Sequence, residues 1–125
     1  MNAIQMARTT YGRAHTPVRS LRQIEYDLFA RVTHDLAQTV AARAEDHPAF
    51  VAALHRNLQF WRVLAGDVVT EGNGLPEPLR ARLFYLYQFT AEHSRRVLAG
   101  EAEVAVLIDI NRAVMRGLRG DGEPG

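Results

Sequence analysis

Chemistry in this chain has few residues to draw on. It contains five histidines and no cysteine, and all 15 of its side-chain cations are arginine. Without cysteine there is no disulfide, thiolate zinc site or cysteine nucleophile. Without lysine there is neither a P-loop lysine nor a Schiff base. A carboxylate-bridged metal pair in a helical bundle draws on Glu-x-x-His. The residues three before His34, His55 and His93 are Arg31, Ala52 and Thr90, and His-Glu-x-x-His is absent as well. A literal Gly-x-Gly-x-x-Gly runs from Gly120 to Gly125. A dinucleotide site needs a strand before that motif and a helix after it, and the surrounding sequence supplies neither. No serine sits in an elbow motif, and no two carboxylates share one apolar face. These residues predict a protein without catalytic activity, metal or cofactor.

Binding chemistry has more to work with. Arg8, Arg13, Arg19 and Arg22 fall in the first 24 residues, where there is no acid, around Tyr11. The whole chain is +1, so the remainder is net −3. Arginine beside an aromatic can neutralise phosphate and stack bases. The same residues also suit a solvated helix face, and no helix-turn-helix or other nucleic-acid motif accompanies them. Asn57 and Asn111 interrupt otherwise apolar seams, and a buried asparagine must find hydrogen-bond partners. The simpler reading is a polar network that fixes helix register. The alternative is contact with a partner's helix lying in a groove. His93, on an apolar face, reads as a hydrogen-bonded core residue.

The elements that position these residues are all helical. Residues 2–13 are weakly amphipathic through Ile4, Ala7 and Tyr11, and Pro17 follows them. A second helix is expected to open at Ser20, with Gln23 completing a capping box. Its face is Leu21, Ile24, Leu28, Val32, Leu36 and Val40, widened by Tyr26 and Phe29. Asp46-His47-Pro48 starts a third helix, whose seam is Val51, Leu54, Leu58, Trp61, Ala65 and Val68, flanked by Phe50 and Leu64. Glu71 to Gly74 is a turn. A fourth helix enters through Leu75-Pro76-Glu77-Pro78, presents Leu79, Leu83, Leu86, Thr90, His93 and Val97, and closes at Gly100. A fifth, over about 103–117, turns Val104, Leu107, Ile108, Asn111, Val114, Met115 and Leu118 inward.

No segment alternates as a strand would. The sequence therefore predicts an all-α fold, a compact antiparallel bundle of four to five helices. It forms a single domain over residues 1–118, with an N-terminal helix in 1–19 whose mobility is left open, and a disordered tail over 119–125. No run approaches the ~18 apolar residues of a membrane span, and Met1 to Ala14 lacks the apolar core of a secretion signal. The expected location is cytoplasmic, away from membranes. The helical seams also allow a weak dimer in place of a monomer.

Tyr11 and Ser20-Leu21-Arg22-Gln23-Ile24-Glu25 begin a longer series of motifs. Asn57-Leu58-Gln59-Phe60-Trp61 follows, then Asp67, Leu75-Pro76 with Leu79-Arg80, and His93, Val97 and Gly100. Leu107-Ile108-Asp109-Ile110-Asn111-Arg112 with Met115, Gly117 and Leu118 closes it. In this order and spacing the sequence resembles the FlaF family of flagellar biosynthesis regulators over about residues 11–118. Two positions depart from the pattern. Leu21 stands where proline is usual, which a helix start tolerates, and Leu58 stands where arginine is common.

The resemblance implies binding of flagellin monomers through their terminal helices, as an export chaperone that couples flagellin synthesis to assembly. An alternative it also implies is post-transcriptional control of flagellin mRNA with or through a second regulator, FlbT. The candidate partner-binding residues are Tyr11, Arg22, Glu25, Asn57, Trp61, Asp67, Asp109, Asn111 and Arg112. The expected groove lies between apolar residues flanking Trp61 and the fifth helix.

Overall fold

The computed structural model describes residues 18–70 and 74–119, with side chains from 26 to 118 within them. Four helices occupy this span: α1 (Val18–Ala41), α2 (His47–Val68), α3 (Glu77–Leu98) and α4 (Ala105–Arg119). No strand occurs among the described residues. The expected helix over 2–13 and Tyr11 lie outside them.

Local signals account for most boundaries. Asp46 caps α2, its Oδ1 accepting from the Ala49 N–H at 3.1 Å, and Pro48 sits in the first turn where no N–H is required. Glu77 opens α3 at the positive end of its dipole, and Arg95 and Arg96 close it at the negative end. Its last turn is a Schellman motif. Gly100 takes φ +77° and donates to Val97 O, while the Glu101 N–H reaches back to Arg96 O at 2.8 Å. Two boundaries differ from expectation. α1 is already helical at Val18, so Ser20 lies inside the first turn and not at the cap. α4 runs from Ala105 to Arg119, so Leu118 and Arg119, the latter expected to start the tail, are still helical.

Short connections bring consecutive helices together. α1 packs along α2 and α4, α2 packs along α1 and α3, and α3 meets α4 only narrowly. The result is a four-helix ring with three closed seams and one loose one.

Two apolar clusters fill the ring. Leu36, Phe50, Leu54, Val97, Leu107 and Ile108 belong to one, where α1 and α3 end and α2 and α4 begin. Phe29, Phe60, Trp61, Leu64, Val68 and Leu83 belong to the other. Phe29 meets Phe60 and Trp61 edge-on, at centroid distances of 4.5 and 5.5 Å, which suits the ring quadrupoles. The inward faces are turned slightly from those the spacing predicted. On α2 the buried line runs Phe50, Leu54, Asn57, Trp61, Leu64 and Val68, while Val51 and Leu58 are only half-buried. α2 is flanked by both α1 and α3, so the middle of its two contact faces, not the 3-4 seam alone, becomes the core.

Candidate functional site

Every helix contributes buried polar residues to the interior: Thr33 from α1, Asn57 from α2, Thr90, His93 and Ser94 from α3, and Asn111 from α4. Asn111 is the hub. Its Oδ1 accepts from the Trp61 indole N–H at 2.9 Å, and its Nδ2 donates to Asn57 Oδ1 at 2.7 Å and to Thr33 Oγ1 at 3.0 Å. Trp61 and Asn57 are fully buried. These bonds cross from α4 to α2 and to α1, so the waist of the bundle is tied through its centre. In a low-dielectric interior such a network is strong when satisfied, and each group left single costs roughly 1–3 kcal/mol.

α3 shares little of this network. Thr90 Oγ1 and Ser94 Oγ are buried without a hydrogen-bond partner, as is Asn57 Nδ2. Two bonds nearer its ends hold α3 instead. Arg80 donates to Val68 O at 3.4 Å, and His93 Nε2 donates to Glu103 O at 2.7 Å. A carbonyl can only accept, so Nε2 carries the hydrogen. The His93 ring also stacks on Phe89 at 5.2 Å. His93 is thus the hydrogen-bonded core residue its position predicted.

The expected partner-binding residues part company here. Asn57, Trp61 and Asn111 are interior and bonded to one another, with no exposed groove beside Trp61; α1 and α4 fill that space. Trp61 and the two asparagines thus line no open groove, which favours the register-fixing network. Asp109 and Arg112 lie on the exposed side of α4, and Asp67 is half-buried near the end of α2. Arg22 and Glu25 belong to the first turns of α1, but their side chains lie outside the described residues. The structure therefore does not gather the six described residues into one surface. Thr33 is the polar residue sequence reasoning missed. Its signal was faint, a threonine between Phe29 and Leu36 on the inner face of α1.

The open surfaces lie elsewhere. Where α3 and α4 fail to close, a cleft of about 360 Å³ runs between Leu79, Leu83 and Leu86 on one bank and Ile110, Val114 and Leu118 on the other. Arg82 and Arg116 stand on its opposite rims, and Gly117 lies along it. A second, shallower hollow of about 620 Å³ lies between the start of α2 and the end of α3, where Val51, Leu58 and Leu98 meet His47 and His55. Tyr85 and Leu98 are more than half exposed.

Among the described residues no three His, Asp or Glu side chains are grouped to hold a metal, and no helix is long and apolar enough to cross a membrane. No curated protein and no solved structure matches the chain. The family model described as flagellar protein FlaF matches residues 7–118, a span that contains the four helices up to the penultimate residue of α4, the waist and both banks of the cleft. The chain belongs to the FlaF family of flagellar proteins.

Proposed function

We propose that this protein binds flagellin monomers before export, as a chaperone without catalytic activity, and so couples flagellin synthesis to filament assembly in the cytoplasm. Family membership supplies the flagellar setting. The observation that carries the reading is the loose α3–α4 seam: a compact bundle that leaves an apolar cleft unfilled beside a filled core. Aggregation-prone helices awaiting export need apolar cover, not a reactive group. The described residues offer such cover.

Titration calorimetry against purified monomeric flagellin, at low and at high salt, tests this. Saturable binding with only a shallow salt dependence is the expected result, because apolar burial is not screened and only the rim arginines are. Absence of binding at micromolar concentrations would remove direct chaperoning. It would favour action on flagellin mRNA with or through FlbT, where contacts from Arg8, Arg13, Arg19 and Arg22 to phosphate would weaken steeply with salt.

A further inference from the structure

We infer that the α3–α4 cleft is the docking groove, and that its occupant is a partner's amphipathic helix whose apolar stripe is flanked on both sides by carboxylates; this rests on the flagellin-binding reading above. The cleft has the dimensions of a helix site. Leu79 to Leu86 and Ile110 to Leu118 each span about two helical turns, some 10–12 Å at ~1.5 Å per residue. A guest presenting apolar residues at i, i+3, i+4 and i+7 would match that length. The floor is already formed: Leu83 is 2 % exposed, and Leu79, Leu86, Ile110, Val114 and Leu118 remain half-buried around it.

Charge selects the occupant. Among the described residues, the charged ones lining the cleft are Arg82 on the α3 bank and Arg116 on the α4 bank, both exposed. The chain's own first 17 residues carry Arg8 and Arg13 and no acid, so they would bring like charge to this rim. A second copy docked cleft to cleft would set Arg82 and Arg116 against themselves. A helix with glutamates or aspartates beside its apolar stripe meets both arginines favourably. The hollow between α2 and α3 has no such selector, because no carboxylate or arginine lines it.

Gly117 supplies a second observation. It lies within α4 at ordinary helical φ, and a Cβ built on it meets nothing within 4 Å. Neither a turn nor a close approach inside the bundle requires glycine there, although a helical glycine is unfavourable. Its missing side chain keeps the α4 bank open.

Two synthetic helical peptides with one apolar stripe, flanked either by glutamates or by lysines, test the rim. The wild-type protein should bind the glutamate peptide about tenfold more tightly, the effect expected of two exposed ion pairs. The Arg82→Glu/Arg116→Glu variant, altered only at exposed positions, should prefer the lysine peptide. Gly117→Leu should weaken both without lowering the thermal melt. Equal affinities, no binding of either peptide, or a preference unchanged by the charge reversal would overturn the inference. So would a concentration-dependent dimer abolished by the reversal, which would assign the cleft to a second copy. Flagellin titrated in parallel separates the two levels. If wild type ignores flagellin, the chaperone reading fails; if all three proteins bind it equally, that reading stands and the cleft is the wrong surface.

Discussion

The waist and the α3–α4 cleft are built from the same kinds of helix and reach opposite ends. At the waist Asn57, Asn111, Thr33 and Trp61 spend their hydrogen bonds on one another and are sealed from solvent. At the cleft, leucines, an isoleucine and a valine at the same helical spacing stay half-open. The difference lies in the neighbours. α1, α2 and α4 are bonded through the centre of the bundle, whereas Thr90 and Ser94 of α3 make no such bond. α3 leans on α2 and leaves α4 uncovered along one edge. Hydrogen bonds that close a ring of helices thus fix three members and leave the fourth seam available.

The largest effect should come from Trp61→Ala, which removes a fully buried indole and orphans Asn111 Oδ1. A loss of about 3–5 kcal/mol is expected, and in a domain of this size it could abolish folding. Urea unfolding followed by circular dichroism would show it. If Trp61→Ala folded with nearly wild-type stability, the waist would not be the structural centre. Asn111→Leu keeps the branched shape but leaves the Trp61 N–H, the Asn57 carbonyl oxygen and the Thr33 hydroxyl oxygen single. At ~1–3 kcal/mol for each stranded group, a loss of about 3 kcal/mol follows, read from the same unfolding midpoint.

Of the nine residues taken as partner contacts, the three most distinctive turned out to be interior. The sequence showed that Asn57 and Asn111 broke apolar runs, and that much was legible. Which way the break faced was not, because a polar residue in a seam looks the same whether a neighbouring helix or a visiting one satisfies it. The caps were easier. Asp46 before Pro48 and Gly100 after Leu98 are local signals whose meaning does not depend on packing. The cleft was invisible for the opposite reason: Leu86 and Val114 fit the core pattern, and only the distance between α3 and α4 leaves them half-covered. Phe60 shows the same limit from the other side. It lay off the expected seam of α2, yet it is 4 % exposed because Phe29 packs against it.

Smaller effects sharpen the contrast. Asp46→Ala should cost about 1 kcal/mol through the uncapped Ala49 N–H, seen as a lowered thermal midpoint with flagellin affinity unchanged. Gly117→Ala should raise stability by about 0.5–1 kcal/mol, because helix propensity improves and nothing obstructs the methyl group. A destabilised Gly117→Ala would mean that the cleft is already filled at that point.

Trp61 is the only tryptophan in the chain, and its indole N–H closes the waist. The molecule therefore carries its own optical gauge at the point where its helices are tied. Emission from a shielded indole moves to longer wavelength once water reaches it. A guest resting in the cleft would leave the colour of that emission unchanged, whereas one that prised the helices apart would redden it. The same unlabelled titration can thus report how a partner enters as well as whether it binds.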